Sequence, residues 1–275
     1  MFLLSGFADE IDQELERQLE TLQELGIRFL ELRGVWGKNV LDLDEEEVET
    51  VRRRLEAAGI AVSAVGSPIG KVGVDDPFTP HLERFRRALE IAQELGTSFI
   101  RVFSYFIPEG EDPAACRDEV LSRMETKLRL AEEAGITLLH ENEKGIYGEQ
   151  PERCLDLLQT LGGEHFKAVF DPANFIQAGR DPYEECWPLL KDHVAYFHIK
   201  DAAKDTGRVL PAGEGDGRIG DILEEAAASG FRGFLSLEPH LKAAGPFDGF
   251  SGPELFGTAV KALRKVLEDH GLREE

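Results

Sequence analysis

One alternation recurs along the chain: apolar residues spaced three and four apart, then a glycine, then a short apolar run. It reads LQELGIRFLEL around Gly26, LEAAGIAVSAV around Gly59, AQELGTSFIRV around Gly96, AEEAGITLLHE around Gly135 and AAASGFRGFLSLE around Gly230. The three-to-four period predicts helices, for example over residues 10–25, 45–58, 82–95 and 114–134. A glycine just past the last periodic residue suits the left-handed backbone that ends a helix, because it has no Cβ to clash there. The run that follows is too short for a helix and rich in Ile, Val and Phe. That combination predicts a strand buried on both faces, as in a parallel sheet.

On this reading strands fall at 2–6 (β1), 28–33 (β2), 61–66 (β3), 98–103 (β4), 136–141 (β5), 166–171 (β6), 194–200 (β7) and 233–238 (β8). The first four glycines lie 33 to 39 residues apart, and the 95-residue gap before Gly230 has room for the units around HFKAVFD and HVAYFHI. Eight βα units without a Pro-, Gly- or Ser-rich linker predict an α/β protein, a single (β/α)8 TIM barrel domain over residues 1–275. An open doubly wound sheet is the alternative. It is disfavoured because neither GxGxxG after β1 nor GxxxxGK[S/T] anywhere is present.

Composition narrows the partners. With 42% hydrophobic and 31% charged residues the chain reads as a soluble globular protein with a large core. Its net charge of −22 would repel a phosphate backbone, so no nucleic-acid partner is expected. No apolar run reaches the length of a membrane span, and the start lacks a basic region, so neither anchor nor signal peptide is expected. Three widely spaced cysteines, Cys116, Cys154 and Cys186, suit reduced thiols in a cytoplasmic protein rather than a disulfide framework or a structural zinc site.

In a barrel of this kind chemistry gathers where strands hand over to the following loops. The first half offers Glu31 and Arg33 on β2, Ser67 and Lys71 after β3, and Arg101 and Ser104 around β4. In the second half four successive strands end in LLHENE (Glu141), VFDPAN (Asp171), YFHIKD (His198) and LSLEPH (Glu238). Isolated buried carboxylates are costly, and three together repel one another unless a cation sits among them. Three oxygen ligands and one imidazole suit one divalent metal ion: Mn2+, Mg2+, Co2+ or Zn2+. Taken singly, each residue has a plainer reading. Asp171, before a proline, can cap a helix, and His198 can be a core histidine. Four such residues at one end of adjacent strands point to a metal instead.

Further candidates follow from position. Lys200, two residues after His198, shares its side of the strand and either holds a substrate hydroxyl or phosphate or stands as a solvated lysine at the strand end. His240 and Glu143 bear the same relation to Glu238 and Glu141, and the alternative for His240 is a plain loop histidine. Glu214, in the PAGEGDG loop, either contacts substrate or orders the loop. Arg33 and Arg101 either grip an anionic group or pair with a barrel acid. His140 should face the helix layer. The segment 240–254, with Phe247 and Phe250, is expected to be a lid or a dimer contact.

These residues resemble the xylose isomerase-like barrel superfamily, which holds sugar isomerases and epimerases, inosose dehydratases and isomerases, and apurinic endonucleases. The likeness covers essentially the whole chain, and its specific part is β5 to β8: E-N at 141–142, D-P-A-N at 171–174, H-I-K-D at 198–201, P-A-G-E-G at 211–215 and S-L-E at 236–238. Similarity to the ketose 3-epimerases implies that Glu141, Asp171, His198 and Glu238 carry the metal, and that Glu141 and Glu238 also transfer protons by way of an ene-diolate. Epimerase-like members commonly carry D-x-x-H on β6. Asn174 stands at that His position, so substrate contacts there are expected to differ.

The resemblance therefore implies a metal-dependent isomerase or epimerase of a small sugar, sugar phosphate or polyol, with a homo-oligomer common among such enzymes. The alternative is a metal-dependent dehydratase of an inosose or hydroxy-keto acid. An apurinic endonuclease fits less well, since those relatives use several histidines and His81 is the only histidine before residue 140. A non-catalytic sugar-binding barrel would not need two metal-linked bases.

Overall fold

The computed structural model describes residues 1–242 and 250–275. Eight parallel strands run in ring order: β1 (Leu3–Gly6), β2 (Phe29–Leu32), β3 (Ala61–Val65), β4 (Phe99–Val102), β5 (Thr137–Glu141), β6 (Phe166–Phe170), β7 (Val194–Ile199) and β8 (Phe234–Leu237). Pairing of β1 with β8, from Leu3 opposite Phe234 to Gly6 opposite Leu237, brings the two ends of the chain's sheet together. The remaining seam, between β1 and β2, carries one bridge, Phe7 to Glu31. The result is a nearly closed (β/α)8 barrel.

The main outer helices are α1 (Leu15–Glu24), α2 (Glu45–Ala58), α3 (Phe78–Glu94), α4 (Pro113–Ala134), α5 (Pro151–Leu161), α6 (Pro172–Gln177), α7 (Ile219–Ala228) and α8 (Pro253–Asp269). Local chemistry sets their ends. Asp44 and Glu47 form a reciprocal capping box at the start of α2, and Gly59 ends it at φ 65°. Asp112 caps α4 ahead of Pro113. Each helix buries one apolar stripe, as with Leu15, Leu19 and Leu22 on α1.

Side chains plug the barrel. Phe29 and Tyr196 pack against Phe234, with Ala64, Leu139 and Val169 beside Tyr196. Ser63 Oγ lies 2.6 Å from Ser5 Oγ and 2.8 Å from the Tyr196 hydroxyl, so these buried polar groups satisfy one another. This packed interior leaves the C-terminal strand ends as the place where a cleft can open. Close approach shapes that end too. At Gly70, φ is +98° and a Cβ would lie 1.9 Å from the Phe103 carbonyl oxygen, so only glycine lets the loop after β3 lie against the end of β4.

Three expectations shift. The helix predicted from residue 10 begins at Leu15, and Ala8–Glu10 form a 3-10 turn with Asp9 and Glu10 buried. Those acids can enter because Arg33 accompanies them, its Nε donating to Asp9 Oδ2 at 2.7 Å. Helix α3 begins four residues earlier than predicted, at Phe78. Strand β7 stops at Ile199, and Asp201–Ala202 then pairs antiparallel with Val209–Leu210 in an arm too short to mark the sequence. Among the described residues no helix is long and apolar enough to cross a membrane.

Candidate metal centre

Glu141 is the last residue of β5, Asp171 follows β6 as the N-cap of α6, His198 lies near the end of β7, and Glu238 follows β8. All are buried, and one ligand atom from each lies within 4.8 Å of the others. His198 Nδ1 is 2.8 Å from Glu141 Oε1 and 3.8 Å from Glu238 Oε2.

The capping role read for Asp171 holds on one oxygen, and the other is left over. Oδ1 accepts the backbone N–H of Asn174 at 3.0 Å and caps α6. Oδ2 is buried without a hydrogen bond among the described residues; the Lys200 ammonium comes within 2.9 Å but makes no directed bond. A buried carboxylate oxygen left over in this way is what a metal ion would complete. Three carboxylates with one imidazole also match the donor preference of a hard or borderline divalent cation, so the residues fit such an ion.

Electrostatics agree. Burial opposes charge on His198, but Glu141 and Glu31 outweigh it and raise the pKa to about 10. Burial likewise pushes the Glu141 carboxyl up, yet His198 and Arg101 bring it down to about 2. Glu238 is held well below the usual carboxylate range against its burial, chiefly by Lys200 and His240. Asp171 is the exception: burial raises it to about 6 despite Lys200. Without a metal, a proton on His198 supplies part of the positive charge that the carboxylates call for.

Other buried groups hold these four in place. Behind His198, Nε2 lies 3.2 and 3.4 Å from the two oxygens of Glu31. Arg101 Nη1 is 3.2 Å from Glu141 Oε2 and 3.9 Å from Glu238 Oε1. Arg33 Nη1 donates to Glu238 Oε1 at 3.1 Å. Both guanidiniums lie over the Phe7 ring, Arg33 at 4.6 Å and Arg101 at 5.0 Å from its centre. The Asn142 amide bonds both the N–H and the C=O of Asp171, fixing β5 to β6 at the level of the ligands.

A cleft of about 530 Å³ opens over this cluster. Glu141 and Glu238 line it together with Arg101, Asn174, Lys200 and His240. Asn174 Nδ2 is 3.4 Å from Glu141 Oε1, and Lys200 Nζ donates to Glu238 Oε2 at 3.0 Å. Glu143 sits at the rim, paired with Lys71 at 2.8 Å. Arg33 and Arg101 both pair with barrel acids, the second of the two readings open to them. His140 is buried against Phe166 and bonded to Ser104.

Glu214 does not join the cluster: it is exposed and outside the cleft lining. Its loop is ordered by Asp201, which accepts the N–H groups of Ala202, Gly213, Gly215 and Gly217. Glycine is needed there, since a Cβ on Gly215 would lie 2.4 Å from Asp201 Oδ1. Asp201 and Asn142 stand in the H-I-K-D and E-N motifs, but the sequence assigned neither a role. Glu31 was offered as a candidate on β2 without a role, although a lone carboxylate in the apolar run FLEL is a usable signal. Of the expected lid segment, Phe247 lies outside the described residues, while Phe250 is half-buried and bridged to Lys242.

The sequence profile of the xylose isomerase-like TIM barrel family matches residues 19–266. Over 200 residues the chain is 26% identical to a 3-dehydroshikimate dehydratase of Pseudomonas aeruginosa, covering 68% of this chain but only 29% of that protein. It is 25% identical over 184 residues to a 2-epi-5-epi-valiolone 7-phosphate 2-epimerase of Actinoplanes, with 66% of each chain covered. The chain thus spans less than two thirds of either relative's length. Among solved structures, a D-tagatose 3-epimerase-like protein superposes with a TM-score of 0.80 at 18% identity, over 98% of both chains.

Proposed function

Because the chain belongs to the xylose isomerase-like TIM barrel family, we propose that it is a divalent-metal-dependent isomerase or epimerase of a small sugar, sugar phosphate or polyol. The observation that carries this reading is the pair Glu141 and Glu238, two ionised carboxylates that reach one cleft from β5 and β8 with Arg101 beside both. A metal ion held by Glu141, Asp171, His198 and Glu238 would supply Lewis-acid stabilisation of negative charge developing beside a carbonyl.

The chain's own groups do the rest. One carboxylate removes the proton next to the carbonyl from one face of the substrate. The other, on the far side, returns a proton, which inverts the centre or moves the carbonyl. His198 and Arg101 keep Glu141 ionised, Lys200 and His240 keep Glu238 ionised, and the Asn174 amide orients Glu141. Lys200, held by Asp171 and Glu238, presents an ammonium to the cleft for a substrate hydroxyl or anionic group. Positioned proton transfer of this kind contributes about 10²–10⁴-fold to a rate.

The cleft's charge favours a second reading, loss of water from a hydroxy-keto acid. Arg33, Lys71, Arg101, Lys144 and Lys200 line it against three acids, Glu141, Glu143 and Glu238, an excess of positive charge in a chain of net charge −22 that suits an anionic substrate. One experiment separates the readings: metal-loaded protein is incubated with ketoses, aldoses, inososes and hydroxy-keto acids in deuterated water. Solvent deuterium in a product isomeric with the substrate supports isomerisation or epimerisation, and a product lighter by one water supports dehydration. Glu141→Gln and Glu238→Gln should each lower turnover by about 10²–10⁴-fold with an unchanged circular dichroism spectrum. Full activity in both variants would overturn the proposed roles.

A further inference from the structure

A second group of ligand-type atoms lies beside the first. Glu10 enters from the turn after β1 and is fully buried. Its Oε2 accepts the backbone N–H of His240 and the hydroxyl of Ser251, each at 2.9 Å. The Glu10 carbonyl accepts the N–H groups of Ser251 and Gly252 at 2.9 and 2.8 Å. These four bonds fix the carboxylate so that Oε1 faces His240 Nε2 at 3.2 Å. His240 Nε2 is in turn 3.4 Å from Glu238 Oε1. Among the described residues Glu10 Oε1 and His240 Nε2 are both buried without a hydrogen bond. Ligand atoms of Glu10, Glu238 and His240 lie within 4.8 Å of one another.

We propose that Glu10, Glu238 and His240 form a second divalent-cation site, with Glu238 shared between the two sites. The two oxygens of Glu238 already face different ways. Oε2 looks toward Lys200 and His198, whereas Oε1 looks toward His240 and Arg33. A carboxylate so divided is the bridge from which two-metal sites are built. Charge agrees with the assignment. On this side of Glu238 the single guanidinium of Arg33 is divided among three carboxylates, Asp9 at 2.7 Å, Glu238 at 3.1 Å and Glu10 at 3.9 Å. The Arg33 Nη2 that faces Glu10, at 3.9 Å, makes no hydrogen bond of its own, so this guanidinium does not complete the site. Two carboxylates and an imidazole suit Zn2+ or Mn2+. The site depends on the first centre only through Glu238.

The test is a count of ions. Chelator-stripped protein is loaded with Zn2+, passed through a desalting column, and its zinc and protein are measured by mass spectrometry. The intact chain should retain two ions, and Glu10→Gln and His240→Ala one each. His198→Ala, which disables the first centre, should also retain one. A single ion in the intact chain and in His240→Ala, lost in His198→Ala, would overturn the second site while leaving the first. Two ions in the intact chain and still two in both Glu10→Gln and His240→Ala would overturn it as well. His240 is partly exposed, so its truncation is tolerated by the fold even if Glu10→Gln is not. Loading with Mn2+ gives an independent readout: a spin-coupled paramagnetic resonance spectrum for the intact chain, and an uncoupled one for His240→Ala. An uncoupled spectrum in both overturns the shared bridge.

Discussion

Glu31 stands directly behind His198, its carboxylate 3.2 Å from Nε2, while Nδ1 of the same ring faces Glu141 at 2.8 Å. The two ring nitrogens are thereby given separate duties. A proton on Nε2 is held by Glu31, which leaves Nδ1 as the nitrogen free to bind a cation. The contact also fixes the ring plane and makes the opposite nitrogen more basic. Partners of this kind tune metal affinity by about 10–100-fold. Glu31→Gln is therefore expected to weaken divalent-ion binding by that factor with little change in secondary structure. Competition against a coloured chelator measures it, and unchanged affinity would remove Glu31 from this role.

Proton release should accompany metal binding. In the metal-free protein His198 has its pKa raised to about 10 by Glu141 and Glu31, against the effect of burial. At pH 7.5 the ring is therefore charged, and a cation can take Nδ1 only after a proton leaves. Calorimetric titrations in two buffers of different ionisation enthalpy should report release of roughly one proton per ion at this centre. Stability is linked in the same direction. The folded pKa lies above the unfolded value of about 6.5. His198 thus stabilises the metal-free fold fully below pH 6.5, and that contribution is lost as pH rises toward 10. His198→Asn should remove both the proton release and this part of the pH dependence.

Much of the centre was legible because parallel strands buried on both faces are apolar throughout, so a charged residue at the end of one stands out. Glu141, Asp171, His198 and Glu238 were found in that way. Glu10 was not, because the apolar spacing of residues 10–25 extends back over it, and a glutamate at a helix start reads as solvated. Its burial depends on Arg33, Ser251 and His240, contacts made across the barrel by distant parts of the chain. Glu214 and Asp201 exchange roles for a related reason. The glycines of PAGEGDG announce a backbone that something approaches closely, but not which carboxylate approaches it.

A buried amine should titrate in the opposite sense to His198. Lys127 on α4 is fully buried, its Nζ makes no hydrogen bond among the described residues, and it lies 4.5 Å from the centre of the Tyr105 ring. Burial, aided by Arg123, lowers its pKa to about 7. The unfolded amine, with a pKa near 10.4, holds its proton longer, so this residue's cost is complete below pH 7 and is relieved as pH rises toward 10.4. Lys127→Met should stabilise the protein at pH 6 by up to about 5 kcal/mol, and by much less at pH 10. Urea midpoints of both proteins at the two pH values decide it. An equal gain at each would mean that the amine does not titrate in this range.

Asp201 makes the loop after β7 depend on a single anion. Oδ1 accepts from Ala202 and Gly217 at 2.9 and 2.8 Å, and Oδ2 from Gly213 and Gly215 at 2.9 and 3.1 Å. Because each oxygen serves two donors, asparagine cannot replace it. Whichever way the amide turned, its NH2 would face two backbone N–H groups, and two bonds to a charged acceptor would be lost. Such bonds contribute about 1.5–3 kcal/mol each, so Asp201→Asn should cost about 3 kcal/mol or more. Amide exchange should accelerate at residues 213–217, whereas Glu214→Gln, altering an exposed side chain of the same loop, should change neither stability nor exchange. If Asp201→Asn is as stable and as protected as the unmodified chain, the loop is held by something other than this carboxylate.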